Sequence, residues 1–315
     1  MDPLYIVLII LASLIFLILL TSFICFMKVF FIPSRKPLKE GEYAFPPGKI
    51  YEPFYEDMKT WTNQIRTMNH EIIKIKSDDN LTLVGSYYKC KKGAPIELMF
   101  HGYQGNAERD LCGGVIRAFA LERNVIIINH RASGPSQGHI TTFGIKERKD
   151  CLKWIEYAVN RFGENVELHL TGVSMGAATV IMAGGENIPS NVKSILADCG
   201  YSSAKEVICK TVKEMHLPPK IFYPFIKLGA FIFGHFNIDE TSPIKALEKC
   251  KTPIIFMHGD IDDIVPLQMS IDMYNKVSSI KKLGIIKNAG HGLAYPADKE
   301  LYVNILKEFE KEYQT

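Results

Sequence analysis

The hydrophobic pattern of the chain begins with one long uncharged run. Residues 4–26 read LYIVLIILASLIFLILLTSFICF, which is longer than the stretch of about 20 apolar residues that a membrane-spanning helix needs. A cleavable secretory signal would place basic residues before a shorter apolar stretch, whereas the only charged side chain before this run is Asp2. We therefore expect an uncleaved, single-pass membrane anchor within residues 1–30.

Basic residues flank this run on its C-terminal side alone, at Lys28, Arg35, Lys36 and Lys39. Positive charge is retained on the cytoplasmic side, so the asymmetry predicts a protein of the cell membrane whose large C-terminal part lies in the cytoplasm. A domain that faces outward is the alternative.

Residues 31–70 read as a linker followed by an amphipathic helix. Prolines and glycines are frequent in residues 32–50, as in a linker that leaves a membrane. Within residues 51–68, Phe54, Met58, Trp61 and Ile65 recur at helical spacing. We expect this helix to pack on the domain that follows, with a position at the bilayer surface as the alternative.

From residue 71 onward, short strand-like runs alternate with helical stretches. The strand-like runs are residues 71–77, 81–89, 96–100, 125–129, 166–171, 192–197, 253–257 and 282–287. The helical stretches are residues 109–121, 144–161, 175–187, 267–277 and 297–311. Alternating strands and helices predict an α/β domain, residues 71–315, with an eight-stranded and mostly parallel sheet covered by helices. The first two runs, separated by polar residues 78–80, predict a hairpin that opens the sheet.

Residues 201–250 interrupt the alternation and contain the apolar stretch IFYPFIKLGAFIFGHF. The segment is too long for a simple crossover, and we interpret it as a helical cap inserted into the sheet domain. A second membrane span is disfavoured because the stretch is too short and is interrupted by Pro224, Lys227 and His235.

Composition narrows the functional class. A hydrophobic content of 47% and a charged content of 23% are typical of a folded protein rather than a disordered one. The net charge of +3 and the absence of a basic stripe argue against nucleic-acid binding. Seven scattered cysteines without CxxC or zinc spacing indicate free thiols in a reducing compartment and predict no metal site. They are Cys25, Cys90, Cys112, Cys151, Cys199, Cys209 and Cys250.

The strongest chemical signal is the GxSxG pattern of residues 172–176. It follows the strand-like VELHLT and opens the helix-like MGAATVIMAG. A strand, a sharp turn and a helix in this order form a nucleophile elbow, in which the serine hydroxyl stands above the sheet. We predict that Ser174 is a nucleophile; the alternative is a simple tight turn.

A serine nucleophile needs a base that is oriented by a third group. His291, in NAGHG, follows the last predicted strand, and flanking glycines leave room for its ring. Asp260, Asp262 and Asp263 all follow the strand PIIFM and compete for the role of the acid. We expect His101 and His258 to serve backbone turns. A structural role is the default for the histidines at 70, 139, 169, 216 and 235.

A developing oxyanion requires backbone donors beside the nucleophile. The segment HGYQGN ends the strand-like ELMF, the place where a nucleophile-elbow fold positions one such N–H group. We assign the two donors to the N–H groups of Tyr103 and Met175. The alternative for residues 101–106 is a glycine-rich turn without a catalytic part.

The ordered segments HGYQGN, GVSMGAA, HGDIDDIVP and NAGHG resemble the α/β-hydrolase superfamily, and within it the serine aminopeptidase-like and BEM46-like group. The resemblance covers residues 71–315 and implies the α/β-hydrolase fold. It selects Asp262, which occupies the acid position of the HGxxDxxVP pattern, and so implies a Ser174, His291, Asp262 triad. Residues 130–136 correspond to a loop usually written RGxGxS, but Ala132 and Ser133 stand where a glycine is usual first.

These features predict a membrane-anchored serine hydrolase that cleaves an acyl ester or thioester through an acyl-enzyme, without metal or organic cofactor. The apolar cap and the anchor favour a small-molecule or lipid-like acyl substrate. A serine peptidase or aminopeptidase, which would need an acidic clamp for a substrate amine, is one alternative. A non-catalytic, membrane-tethered interaction protein is another. The oligomeric state is left undefined.

Overall fold

The structure, a computed structural model, describes residues 2–33, 39 and 41–314. Arg35 and Lys36, two of the basic residues on which the predicted orientation rests, lie outside the described residues.

The strands are β1 His70–Lys76, β2 Thr82–Tyr88, β3 Ile96–Phe100, β4 Asn124–Asn129, β5 Leu168–Val173, β6 Val192–Asp198, β7 Ile254–Gly259 and β8 Lys281–Ile286. The longer helices are α1 Pro3–Val29, α2 Tyr55–Thr67, α3 Ala107–Ala120, α4 Glu147–Phe162, α5 Met175–Gly184, α6 Ala204–Glu214, α7 Pro219–Gly234, α9 Leu267–Lys276 and α11 Lys299–Gln314. Two single-turn helices are α8 Pro243–Ala246 and α10 Ala294–Ala297.

The eight strands form one sheet in the order β1-β2-β4-β3-β5-β6-β7-β8. β2 pairs antiparallel with β1 and with β4, and the strands from β4 to β8 are mutually parallel. This confirms the predicted mostly parallel sheet and its opening hairpin. The carboxyl ends of β3, β5, β6, β7 and β8 therefore meet along one edge of the sheet, where side chains of distant sequence positions come together.

Burial explains why the central runs form strands that are covered on both faces. All five residues of β3 and all six of β4 are buried, as expected for strands between two helical layers. One layer contains α4, α5 and α9, whereas α2, α3 and α11 cover the other face. Trp61 and Ile65 of α2 are buried in that second layer, so the amphipathic helix packs on the domain.

The C-terminal helical stretch differs from the prediction in one respect. The pattern predicts a continuous helix over residues 297–311, but the chain leaves the helical conformation at Asp298 (φ −149°, ψ 85°), which separates α10 from α11. The carboxylate of Asp298 accepts a hydrogen bond from the N–H of Leu301 at 2.9 Å and so caps α11. A capping aspartate is a helix-start signal, and here it outweighs the apolar periodicity.

The cap insertion comprises α6, α7 and α8, as the break in the strand–helix alternation predicted. Its longest helix, α7, packs against the C-terminal part of α1. Ser22, Phe26 and Phe30 are buried at this contact, and a Cβ atom on Gly229 would lie 2.4 Å from the carbonyl oxygen of Ser22. Only a glycine allows the two helices to approach this closely.

The remainder of α1 is uncovered. The helix has 27 residues, and none of its most apolar 18-residue window is buried. Among the described residues, α1 is the one helix that is long and apolar enough to cross a membrane. Beyond its end, the chain stays attached to the domain, because the N–H of Ile32 bonds His139 O at 2.8 Å and the N–H of Thr141 bonds Phe30 O at 2.9 Å.

Candidate active site

Ser174 occupies the sharp turn between β5 and α5. Its φ of 56° is in the left-handed region, a conformation that costs free energy for a non-glycine residue and is often found at functional sites. Close packing enforces this turn. A Cβ atom on Gly172 would lie 2.1 Å from the backbone of Gly176, and a Cβ atom on Gly176 would lie 2.0 Å from the carbonyl oxygen of Phe100. The two glycines therefore let the strand, the turn and the helix pack together, as in a nucleophile elbow.

His291 and Asp262 lie beside this serine. The Nε2 atom of His291 is 2.8 Å from the Oγ atom of Ser174, and its Nδ1 atom is 2.8 Å from Oδ2 of Asp262. A carboxylate only accepts hydrogen bonds, so Nδ1 carries the proton and Nε2 offers its lone pair to the serine hydroxyl. The other two candidate acids lie elsewhere: Asp260 accepts from the N–H of Asn288, and Asp263 is exposed.

The environment of Asp262 favours its charged form. Oδ1 accepts hydrogen bonds from the N–H groups of Ile264 and Val265, both at 2.9 Å, while Oδ2 faces His291 and His258. Burial alone would raise the pKa of Asp262, but the hydrogen bonds from His258 and His291 outweigh it and hold the pKa well below its usual range. The carboxylate is therefore ionised wherever the protein is folded near neutral pH.

His258 has a larger part in the site than the turn role expected of it. Its ring is fully buried, with Nε2 at 2.9 Å from Val265 O and 3.2 Å from Oδ2 of Asp262. Because the carbonyl of Val265 is an acceptor, Nε2 carries a proton, and Nδ1 accepts from the hydroxyl of Ser270 at 2.7 Å. His258 thus fixes the Asp262 carboxylate. Its position four residues before Asp262 in HGDIDD is the signal that sequence reasoning passed over.

His101 serves the backbone, as predicted. Its Nδ1 atom lies 2.7 Å from Gly102 O, and its Nε2 atom accepts from the N–H of His130 at 3.1 Å. The ring of His130 in turn reaches His101 O at 3.1 Å. Burial lowers the pKa of both histidines, so both are neutral. The pair joins the loops that follow β3 and β4.

The loop after β3 lies directly against the serine. A Cβ atom on Gly102 would be 3.5 Å from Cβ of Ser174. Within the described part of the chain, the backbone N–H groups of Tyr103 and Met175 donate to no protein acceptor, and both residues adjoin this point. Asp110, which sequence reasoning missed, accepts a hydrogen bond from the N–H of Gly102 at 3.1 Å and is paired with Arg109. The Asp110 side chain therefore fixes the backbone of this loop.

The side chain of Tyr103 connects this loop with the N-terminal helix. Its hydroxyl donates to Val29 O at 2.8 Å, and its ring lies 4.9 Å from that of Phe143. Phe143 also contacts Phe30, the residue that follows α1. The end of α1 and the loop beside Ser174 are thus in direct contact.

In the loop after β4, Ala132 occupies a position where the RGxGxS pattern usually has glycine. This residue takes a φ of 60°, a left-handed conformation that glycine adopts at lower cost, which explains why a glycine is usual there. Hydrogen bonds compensate: the N–H of Ala132 bonds Gln137 O at 2.9 Å, and Ser136 Oγ bonds Asn129 O at 2.8 Å. The loop keeps a defined form without that glycine.

A cavity of about 300 Å³ opens beside Ser174 and His291. Apolar and aromatic side chains line much of it, among them Trp61, Met99 and Tyr295. This size is at the small end of ligand-binding cavities in proteins, and a few polar groups among apolar walls are usual there. The cavity therefore has room for a small organic group next to the serine.

Burial raises the pKa of two further groups near Ser174 and His291. Asp198 ends β6, accepts from the Tyr302 hydroxyl at 2.8 Å through Oδ2, and has a buried Oδ1 without a partner in the described chain. Burial raises the pKa of Asp198 to about 6. Cys199 lies within 4.8 Å of donor atoms of Asp262 and His291, but burial raises the pKa of its thiol well above its usual value. A protonated thiol beside two already bonded donors is a poor metal site.

Comparisons with known proteins agree with this architecture. A family model described as alpha/beta hydrolase fold matches residues 98–222. The uncharacterized protein YqkD of Bacillus subtilis is 27% identical over 187 residues. The match covers 59% of this chain and 61% of YqkD, so this chain spans less than two thirds of that relative. Protein bem46 of Schizosaccharomyces pombe is 26% identical over 221 residues, 68% of each chain.

Among solved structures, the esterase Pf2001 of Pyrococcus furiosus has a TM-score of 0.66 at 19% identity, with 90% of this chain and 99% of the esterase covered. The chain is therefore a protein of the α/β-hydrolase fold, with an esterase among the structures that share it. It is a distant homologue of Bem46 and YqkD, which confirms the resemblance of its motifs.

The raised pKa of Asp198 predicts a specific pH dependence of stability. Between the unfolded pKa of 3.8 and the folded pKa of about 6, the native state keeps a proton that the unfolded chain has released. Stability therefore falls as pH rises through this window, by about 2–3 kcal/mol in all. We expect Asp198→Asn, which can still accept from Tyr302, to unfold at a higher temperature than wild type at pH 7.5 and to lose this advantage towards pH 4.

The measurement is thermal unfolding in detergent at a series of pH values. Asp263→Asn is the matched control, because it removes an exposed carboxylate of the same region and is expected to change stability by less than about 0.5 kcal/mol. Equal pH profiles for Asp198→Asn and wild type would contradict the prediction.

Proposed function

We propose that this protein is a serine hydrolase that cleaves an acyl ester or thioester with Ser174 as nucleophile, His291 as general base and acid, and Asp262 as the group that orients His291. The observation that carries the proposal is the continuous hydrogen-bond chain from Ser174 through His291 to Asp262, with both contacts at 2.8 Å. Nucleophile, base and orienting acid in this arrangement define acyl-transfer sites on unrelated folds.

In this mechanism His291 Nε2 takes the proton of Ser174 as Oγ attacks the substrate carbonyl carbon. The N–H groups of Tyr103 and Met175 stabilise the oxyanion that forms, and the Asp262 carboxylate stabilises the imidazolium. His291 then protonates the leaving alcohol or thiol, and an acyl-enzyme remains on Ser174. Water, deprotonated by His291, attacks this ester and releases the acid. None of these steps needs a metal or an organic cofactor.

The acidic residues of the cap favour an ester substrate over an aminopeptidase substrate. An amine-binding clamp needs unpaired carboxylates, but the acids of the cap are engaged with neighbours. Asp239 pairs with Lys227, Glu214 with Lys210, and Glu240 with Arg148. Glu206 accepts from the hydroxyl of Ser202 at 3.2 Å. An esterase among the proteins of the same fold agrees with this choice.

Residues 1–30 act in this proposal as an uncleaved anchor in the cell membrane, with residues 31–70 as linker and amphipathic helix and residues 71–315, including the cap 201–250, in the cytoplasm. The uncovered first part of α1 suits a lipid environment. The last part of α1 argues against cleavage of the helix after synthesis. Cleavage would expose the apolar surface of the cap that Phe26 and Phe30 cover.

Active-site labelling tests the nucleophile. We expect a fluorophosphonate probe to label the wild-type protein and to leave Ser174→Ala unlabelled, because the probe reacts only with an activated serine. Ser203→Ala, which changes a serine at the start of α6, should label like wild type. An unlabelled wild-type protein would instead favour a non-catalytic, tethered interaction protein, and a labelled Ser174→Ala would place the nucleophile elsewhere.

The three neighbouring acids provide a matched series for the role of Asp262. Asp262→Asn keeps the shape of the side chain but favours the wrong tautomer of His291, so hydrolysis of a p-nitrophenyl ester should fall about 10⁴-fold. Asp260→Asn and Asp263→Asn should stay close to the wild-type rate, because neither side chain contacts His291. Equal losses in all three variants would contradict the assignment.

A substrate screen separates the two hydrolase classes. We expect turnover of p-nitrophenyl acyl esters and of acyl thioesters, and no comparable turnover of aminoacyl amides, because the cap lacks an unpaired acidic clamp. The Ser174→Ala variant supplies the background rate for every substrate. Cleavage of the amides alone would overturn the ester assignment in favour of a peptidase.

A further inference from the structure

The cap helix α7 has an apolar outer face that no other described element covers. Exposed or half-exposed residues follow one another along this face at spacings of three and four: Ile221, Pro224, Phe225, Leu228, Phe231 and Ile232. Ile221 is 58% exposed and Phe231 is 66% exposed, although side chains of this type are usually buried in water-soluble domains. Lys220 lies along one flank of the face, beside Lys227, which pairs with Asp239.

The opposite face of α7 holds the N-terminal helix. Gly229 contacts the backbone of Ser22, and the ring of Phe233 lies 5.1 Å from Phe23 and 5.9 Å from Phe26. The helix is thus apolar on both sides, and one of these sides is already occupied by the proposed membrane anchor. The two helices contact each other, and each keeps an exposed apolar surface.

The length of α1 places this face relative to a bilayer. Residues 3–21 of the helix are exposed except for the half-buried Ile18 and Thr21, and they span about 28 Å at a rise of 1.5 Å per residue. The hydrocarbon core of a bilayer is about 30 Å thick. Ser22 is the first fully buried residue of α1, so the cap meets the helix near the end of a length that matches the hydrocarbon core.

We propose that the outer face of α7 is embedded in the interface of the same bilayer that α1 spans, so that the cap is itself a membrane-binding element. An interfacial helix of this kind buries its apolar face at the boundary between headgroups and acyl chains, with lysines at its edge facing anionic lipid. The ligand of this surface is a lipid bilayer. The inference rests on the proposed anchor and deepens the proposed hydrolase function.

The arrangement also links the two helices to the residues around Ser174. Phe30, Ile226 of α7 and Met175, the residue after the nucleophile, belong to one buried apolar cluster. Tyr103, which packs against the same cluster, contacts the end of α1 through Val29 O. Both groups that flank Ser174 are thus attached to the two membrane-contacting helices. The preferred substrate is an acyl ester whose chain is embedded in the bilayer surface.

Tryptophan fluorescence tests the position of α7 in the full-length protein. The chain has two tryptophans, Trp61 and Trp154, and both are buried in the domain, so an added one reports its own surroundings. We expect Phe231→Trp, reconstituted in vesicles that contain dibrominated phosphatidylcholine, to lose more than half of its added emission. The matched control is Leu301→Trp, which alters an exposed apolar residue of α11 and should not be quenched.

Alkaline carbonate extraction of the same vesicles separates the possible failures. If the protein stays in the membrane and Phe231→Trp emits as in water, the interfacial helix is wrong and the anchor stands. If carbonate releases the protein, both the anchor and the interfacial helix are wrong. Fluorophosphonate labelling of Ser174 is measured in detergent, so the hydrolase proposal is decided independently of both results.

A kinetic comparison provides the second test. We expect the double variant Ile221→Ser, Phe231→Ser to hydrolyse a long-chain ester embedded in vesicles at least tenfold more slowly than wild type, with an unchanged rate on a soluble short-chain ester. The control double variant Ile72→Ser, Leu301→Ser removes exposed apolar residues outside the cap and should keep both rates. Wild-type rates in the first variant on both substrates would overturn the inference.

Discussion

The absence of two side chains at the turn after β5 is the constraint on which the site depends. With hydrogen atoms alone on Gly172 and Gly176, α5 packs against the ends of β5 and β3, and Ser174 is forced into a left-handed conformation. The N–H of Ser174 bonds Asp198 O at 2.8 Å, so the neighbouring strand also fixes the serine. The position of Ser174 is thus determined by backbone contacts, and the loops after β7 and β8 bring Asp262 and His291 to it.

Two buried carboxyl groups near the serine have opposite protonation preferences, and the number of donors around each explains the difference. Asp262 receives two backbone N–H groups and faces two imidazoles, which together outweigh the cost of burying its charge. Asp198 receives one tyrosine hydroxyl and leaves one oxygen unpaired, so burial dominates. The Asp262 carboxylate is therefore charged throughout, whereas Asp198, also near Ser174, becomes neutral in mildly acidic conditions.

Sequence reasoning predicted the elements that depend on local pattern. The apolar runs gave all eight strands, and the glycines of the turn after β5 pointed to Ser174 because strand, turn and helix are consecutive. The choice among three adjacent acids needed a family pattern, since spacing alone does not separate Asp262 from Asp260 and Asp263. Groups that act through distant contacts were missed: Asp110 lies beneath the loop of Tyr103 only after α3 has packed on the sheet.

The contact between α1 and α7 makes one helix subject to two different sets of requirements. Its first part faces only its surroundings, so apolar residues there can replace one another freely. At Ser22, Phe26 and Phe30 the neighbours are a glycine of the cap and the aromatic cluster that reaches Tyr103. Exchange of the whole helix for an unrelated apolar segment of equal length and hydropathy would keep the exposed apolar surface but not this fit. Sequence divergence among relatives that keep the contact should accordingly be uneven along a single helix, with wide variation before residue 22 and little at these three positions.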